Sequence, residues 1–281
     1  MYNNSLGIYK VNVTAPDISH PILPFRHNNT TVFGAGTWTG WYFSEELKNA
    51  EKYGYQFEIL SGYLFKSEDI FSKYIDDLYK MKASADSTDP MYLIAKILMN
   101  SLYGRYGLSP DLASYSLADS ETLDKAINKQ GVENLDDTLE IGELVLYSFK
   151  NNKENASSNS NVAIALAVSA YSRILMSQFK NNPQYNLYYS DTDSIFIDKP
   201  LDPSFVDDKT IGKLKLEHVL SKLVALGAKM YGGVTDSGKE FTKVKGLKNK
   251  LSVADLELLL QQDTTKVVDQ SKWFKSLTNG R

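Results

Sequence analysis

Two aspartates two residues apart, Asp191 and Asp193, sit in the run Tyr188-Tyr189-Ser190-Asp191-Thr192-Asp193-Ser194-Ile195-Phe196. The flanks are rich in aromatic and β-branched residues and read as two strands joined at the acids. In extended backbone, residues i and i+2 point to one side, so the two carboxylates are expected to stand together. Neighbouring carboxylates repel, and a divalent cation relieves the repulsion. Mg²⁺ takes oxygen ligands, keeps to one or two protein carboxylates and leaves room for phosphate oxygens. The chemistry is that of a Mg²⁺–phosphate site at a hairpin tip. Taken alone, the same residues also read as a polar turn, where Asp is common.

A second group lies on an expected helix. Asp89-Pro90 places an acid at the N-cap and a proline at the first helical position, and Gly104 is a plausible stop. Within it Lys96, Asn100 and Tyr103 fall at i, i+4 and i+7 on one narrow face, while Leu93, Ile94, Ile97 and Leu98 are expected to face the core. An ammonium, an amide and a phenol on one stripe suit a nucleoside triphosphate: charge to phosphate, amide to a polar edge, ring to sugar or base. The bland reading of the stripe is a solvated helix face.

Lys96-Ile97-Leu98-Met99-Asn100-Ser101-Leu102-Tyr103-Gly104 followed by the Asp191-Thr192-Asp193-Ser194 hairpin resembles the fingers and palm motifs of family B DNA polymerases. Lys229-Met230-Tyr231 is similar to the K-x-Y primer-contacting motif of the protein-primed subgroup, found in phages and in linear plasmids of mitochondria. Trp41-Tyr42-Phe43-Ser44-Glu45-Glu46-Leu47 looks like organellar plasmid polymerases. The motifs come in the family's order and span nearly the whole chain, which displaces the polar-turn and solvated-face readings.

The resemblance implies an α+β fold: a polymerase palm of antiparallel sheet with helices, fingers helices and the start of a thumb, incomplete at both ends. It implies a palm segment and first insertion region at 1–78, fingers at 79–107, a second insertion region at 108–160, palm with the DTD hairpin at 161–235, and early thumb at 236–281. It implies transfer of a nucleotide to a primer 3′-hydroxyl, with Mg²⁺, or Mn²⁺ in its place, on Asp193 and Asp191 as the supporting acid. Lys96, Asn100 and Tyr103 would then hold the nucleotide. Ser101, Gly104, Lys229, Tyr231, Lys243 and Lys245 would contact primer or template DNA. The implied partners are primer–template DNA, deoxynucleoside triphosphates and a terminal protein that serves as first primer, with no membrane. The implied setting is a mitochondrion, the gene being organelle- or plasmid-encoded.

Composition limits these readings without contradicting them. The 281 residues are 42% hydrophobic, enough to bury a sizeable core as one or two domains. A net charge of −3 gives no global basic signature, so nucleic-acid affinity must come from local patches. There is no cysteine, which removes disulfides and thiolate metal sites and fits a reducing or organellar setting. The most apolar run, Val162 to Phe179, carries Arg173 and several serines and reads as a buried helix rather than a membrane span. The N-terminus has neither the Arg-rich character of a transit peptide nor the apolar core of a signal peptide.

Along the chain, Gly7 to Val13, Gly36 to Phe43 and Tyr55 to Phe65 read as strands, and Ser44 as the N-cap of a helix ended by Gly54. Glu45 and Glu46 favour that helix's positive end. Ser67 is expected to open a second helix with Ile70, Phe71, Tyr74, Ile75 and Leu78 as a core stripe. Residues 108–161, with Ser109-Pro110 and a polar run from Asn151 to Asn161, read as an insertion, which by resemblance is linked to processivity and strand displacement. Asp236-Ser237-Gly238 reads as a hairpin turn, with Lys229 and Tyr231 sharing one face, as do Lys243 and Lys245. Lys239, Lys243, Lys245, Lys248 and Lys250 form one basic stretch, able to contact phosphates or to be a solvated edge strand. Ser252 and Asp255 spell a capping box opening a helix through Leu260.

Two-metal phosphoryl chemistry takes acids from two motifs. The D-x-x-S-L-Y-P motif that the resemblance leads one to expect upstream does not occur; Asn4-Ser5-Leu6-Gly7 is a superficial echo. Trp273 to Leu277 falls where a thumb would continue. The expectation is a central piece of a polymerase with little or no activity by itself. The alternative is a non-catalytic, decayed plasmid-polymerase remnant with weak DNA or nucleotide binding, and a third reading is an unrelated Mg²⁺- or nucleotide-binding module.

Overall fold

A computed structural model describes residues 5–108, 115–150, 160–248 and 251–270. Asn4, Ser109-Pro110, most of the 151–161 run, Lys250 and Trp273 to Leu277 lie outside the described residues. The fold is α+β, and every sheet in it is antiparallel. The chain divides into two compact units, residues 1–174 and 175–281.

The first unit is built on strands β1 (Leu6–Ala15), β4 (Gly36–Phe43) and β5 (Gln56–Phe65), in the order β4-β1-β5. In β1 the odd positions Tyr9, Val11, Val13 and Ala15 are buried, the period of two that the sequence carries. They pack with Leu23, Tyr42, Leu47, Ala50 and Tyr55 into one apolar core. The hairpin β2 (Pro24–His27) and β3 (Thr30–Phe33) is tied on through Tyr42, whose hydroxyl donates to the Pro24 carbonyl at 2.6 Å and accepts from Trp38 Nε1 at 2.7 Å. Burial pushes the Tyr42 phenol up to about 12.

Helix α1 (Ser44–Glu51) begins one residue earlier than expected. Phe43 occupies the N-cap, and the Ser44 hydroxyl instead accepts the Gly7 N–H at 3.2 Å, fastening the helix to β1. Glu46 is buried and pairs with Arg173 of α5 (Val162–Lys180) at 2.5 Å from Nε, so it serves packing as well as the helix end. The second helix α2 (Ser72–Ser84) starts five residues after Ser67, because the Asp69 carboxylate accepts the Ser72 N–H. Of its expected core stripe only Leu78 is buried; Phe71 and Ile75 are half-buried, and Ile70 and Tyr74 are exposed.

Helix α3 (Pro90–Tyr106) has the expected cap, with Asp89 accepting the Met91 N–H at 2.8 Å. It runs through Gly104 to a C-cap at Gly107. Its inward stripe against α2 is Tyr92, Ala95, Met99, Leu102 and Tyr106, at i, i+3, i+7, i+10 and i+14. Leu93, Ile94, Ile97 and Leu98 are exposed, contrary to expectation, because α3 is apolar nearly all round and its period does not single out one side.

Residues 115–150 fold as a small module of β6 (Tyr115–Ala118), α4 (Ser120–Gln130), β7 (Leu135–Ile141) and β8 (Leu144–Phe149), with sheet order β6-β8-β7. Helix α5 follows, and the division between the two units falls within it. It is long and apolar enough to cross a membrane by those measures alone. Ala170, Met176, Ser177 and Phe179 are nonetheless buried and Arg173 is ion-paired, while Val168, Tyr171 and Leu175 are exposed. It is a half-buried packing helix rather than a wholly buried one.

The second unit carries the hairpin β9 (Leu187–Asp191) and β10 (Ser194–Ile197), and a sheet of β11 (Leu220–Gly227), β12 (Met230–Thr235) and β13 (Glu240–Val244). The turn at Asp236-Ser237-Gly238 joins β12 to β13 as expected, with Gly238 at φ 81°. Helix α6 (Val253–Leu258) opens on the full capping box: Asp255 N–H to Ser252 Oγ at 3.0 Å, and Ser252 N–H to the Asp255 carboxylate at 3.0 Å. Val253 and Leu256 pack with Val224 and Leu251 as the core of this unit.

Candidate functional site

In the β9–β10 hairpin Asp191 pairs with Ser194, leaving Thr192 and Asp193 as a two-residue loop. Thr192 takes the left-handed region at φ 51°. A two-residue hairpin needs such a residue for its twist to match the strands. The two acids are therefore not same-face positions of one strand, as extended geometry would have made them. Asp191 ends β9, half-buried, and Asp193 stands exposed on the loop.

Asp191 already has a cation. Lys229 Nζ lies 2.8 Å from both of its carboxylate oxygens. This bond holds the Asp191 carboxyl below the usual carboxylate range, and reciprocally raises the Lys229 ammonium. Lys180, at the end of α5, is half-buried; burial lowers its pKa, and the Asp191 charge opposes that shift. Asp193 takes part in none of the ion pairs found among the described residues.

Lys229 sits in the turn between β11 and β12 with φ 61°. Its N–H donates to the Tyr189 hydroxyl at 2.8 Å, and its carbonyl accepts the Lys245 N–H at 3.0 Å. Two residues on, the Tyr231 ring lies 4.7 Å from that of Tyr189 and 5.5 Å from that of Phe196. Burial raises the Tyr231 phenol. The Lys229-Met230-Tyr231 segment is thus clamped onto the Asp191 hairpin by an ion pair at one end and stacked rings at the other. Lys243 is cross-strand from Tyr231 and exposed, as are Lys245, Lys239 and Lys248. The second unit therefore assembles Asp191, Asp193, Lys229, Tyr231, Lys243 and Lys245 on neighbouring strand ends.

Tyr189 and Phe196 stood in the quoted run but were given no role by sequence reasoning, and Lys180 and Phe241 were not singled out; a lone cation ending an apolar helix just before the hairpin was a signal for Lys180. His218 stacks on Phe241 at 4.7 Å, and nothing in the sequence marked that pair.

The first unit carries Lys96, Asn100 and Tyr103, all exposed on one stripe of α3. Ser101 is exposed, and its hydroxyl donates to the Leu98 carbonyl at 3.3 Å. A Cβ at Gly104 would meet nothing within 4 Å. Packing therefore does not require glycine there, although glycine in a helix interior costs roughly 0.5–1 kcal/mol relative to alanine.

No group of three or more His, Asp or Glu side chains that could hold a metal converges among the described residues. The donor chemistry fits a hard cation only in part. Asp193 is a free, exposed carboxylate of the kind Mg²⁺ takes together with phosphate oxygens, whereas Asp191 is neutralised by Lys229.

Residues 1–186 match the family model described as DNA polymerase type B, organellar and viral. A probable DNA polymerase of Neurospora intermedia is 39% identical over 97% of this chain and 29% of its own length. One of Ascobolus immersus is 41% identical over 89% of this chain and 22% of its own. The chain thus spans less than a third of these relatives. Among solved structures, Phi29 DNA polymerase complexed with primer–template DNA has the same fold over 93% of this chain and 46% of that one, with TM-score 0.60 at 16% identity. The orthorhombic form of Phi29 DNA polymerase gives TM-score 0.63 over 88% of this chain and 45% of that one. With two-thirds of its length matched by that family model, the chain belongs to the type B DNA polymerases of organellar and viral kind.

Proposed function

We propose that this chain is the nucleotide- and primer-handling portion of a protein-primed DNA polymerase, extending a primer 3′-hydroxyl from deoxynucleoside triphosphates on a DNA template. The observation that carries the reading is the clamp between Lys229-Met230-Tyr231 and the Asp191 hairpin, which puts a fixed cation, an aromatic ring and an exposed Asp193 at one strand-end cluster.

In this reading Asp193 is the carboxylate that takes Mg²⁺, or Mn²⁺ in its place. The ion would neutralise phosphate charge and polarise the reacting oxygens. Asp191 is the supporting acid: paired with Lys229, it fixes the turn that carries the primer-contacting residues. Tyr231 is braced by Tyr189 and Phe196, so its edge is held in place for the end of the primer strand. Lys243 and Lys245 supply backbone-phosphate contacts, which weaken as salt rises. On α3, Lys96 offers a point charge to the triphosphate, and Asn100 and Tyr103 shape the nucleotide pocket. Ser101 and Gly104 leave that helix surface low enough for DNA to approach closely.

Two-metal chemistry takes a further acid, which in this reading comes from the D-x-x-S-L-Y-P-like motif of the longer polymerase. Protein priming, a plasmid origin and a mitochondrial setting belong to the same proposal and rest on the likeness of Lys229-Met230-Tyr231 to the K-x-Y motif of that subgroup.

The test is primer extension with Mg²⁺ or Mn²⁺, comparing the 281-residue chain with the longest reading frame that contains it. Extension by the longer protein, abolished by Asp193→Ala, together with little or none by the chain alone, is expected. Robust extension by the chain alone, lost in Asp193→Ala, would overturn the division of the site.

A further inference from the structure

The module at 115–150 has a chemistry that sets it apart from the rest of the chain. It carries eight carboxylates and three lysines, a net −5, and all eight carboxylates are exposed. With the whole chain at −3, the remainder is +2. Phosphate contacts need Lys and Arg, so this surface repels a nucleic-acid backbone rather than holding it.

Its sheet has two different faces. Helix α4 packs against β8, and Tyr147 on that strand is buried. On the alternate positions, Leu117, Leu146 and Leu139 lie directly opposite one another across all three strands, with Ile141 opposite Leu144 in the next row. Leu117, Leu139 and Ile141 are each at least half exposed, at 53%, 57% and 50%. Among the described residues strand β7 is the sheet's edge and pairs with β8 alone, and its six residues from Asp136 to Ile141 are exposed. An open edge of seven residues beside an apolar face is a template for adding a strand. Asp137 precedes Leu139 and Ile141 on that face and Glu140 lies between them on the other, so an incoming strand meets carboxylates among apolar positions.

We propose that the free edge and open face of the β6-β8-β7 sheet dock a basic, apolar protein segment, which adds as a strand to β7. Charge complementarity selects the partner: lysines or arginines to meet the carboxylates, and aliphatic side chains to cover Leu117, Leu139 and Ile141. This proposal stands apart from the polymerase reading, since it concerns neither the hairpin nor α3.

The full chain is titrated into a labelled short peptide alternating lysine and valine, into its glutamate–valine counterpart, and into single-stranded and duplex oligonucleotides. The lysine peptide should bind, more weakly as salt rises, and should protect the 135–141 amides from hydrogen exchange. Leu117→Lys with Leu139→Lys should weaken it by about tenfold or more while leaving oligonucleotide binding unchanged. Both leucines are exposed, so the fold does not depend on them; the exchange protection on the unaltered chain is a readout that needs no variant. Equal binding of the glutamate peptide, no loss in the double variant, or displacement of the peptide by an oligonucleotide would overturn it. So would a chain dimer in sedimentation that the double variant abolishes, because the face would then belong to a second copy.

Discussion

Lys229 and Asp191 decide how the site holds together, and their titration can be read directly. Asp191 has a depressed pKa, so its pairing contributes above the ordinary carboxylate value near ~4 and is lost as pH falls through the lower folded value. Lys229 is raised, so its share is fully present below ~10.4 and lost as pH rises through the higher folded value. The clamp is accordingly closed across the neutral range. Carbon-detected NMR of the Asp191 carboxyl should give a midpoint below the usual range, moving back up in Lys229→Met; an unchanged midpoint would mean the ion pair is not formed in solution. Because both side chains are partly exposed, the pair itself adds little stability. The Glu46–Arg173 pair differs, with the Glu46 side chain only 3% exposed. Arg173→Ala strands a buried carboxylate and should cost about 2–4 kcal/mol in urea unfolding, somewhat under the full buried-pair loss because Arg173 is partly solvated. Lys125→Ala, which breaks a fully exposed pair with Glu121, should change stability by less than about 0.5 kcal/mol.

Among the elements, α3 shows a conflict between stability and use. Gly104→Ala has open space for its methyl and should stabilise the helix by roughly 0.5–1 kcal/mol. It should also weaken primer–template binding if DNA lies against that surface. A variant that is more stable and binds equally well would remove Gly104 from the DNA contacts. Ser252→Ala should cost about 1 kcal/mol at α6, where both halves of the capping box are made. Elements with local punctuation were legible in the sequence: the alternation of β1, the Asp89-Pro90 start, the Asp236-Ser237-Gly238 turn and the Ser252 box all stand where their residues put them. What the sequence did not reveal depended on distant partners. Ser44 left the N-cap for the Gly7 N–H across thirty-seven positions, and the turn of Thr192 broke the same-face geometry of the two aspartates. The core side of α3 was unreadable because apolar residues surround the helix, and its packing against α2 chooses between them. Of the candidate site, residue identities came from motifs, but the Lys229–Asp191 bond joins positions thirty-eight apart and has no local signature.

For the molecule as a whole, the unequal charge is the organising fact. The lysine-rich strand end beside Tyr231 and the acidic module at 115–150 belong to one chain of net charge −3, and we propose different partners for them: DNA for the first, a basic protein segment for the second. The central claim is that primer–template DNA is held at the clamped hairpin. Fluorescence anisotropy of a labelled primer–template with the 281-residue chain tests it, using Lys229→Ala and Tyr231→Ala beside Lys125→Ala as a control on the acidic module. The account predicts that each of the first two weakens binding by about tenfold, with loss as salt rises, while the control binds as the unaltered chain does. Equal affinities for all four proteins would contradict it.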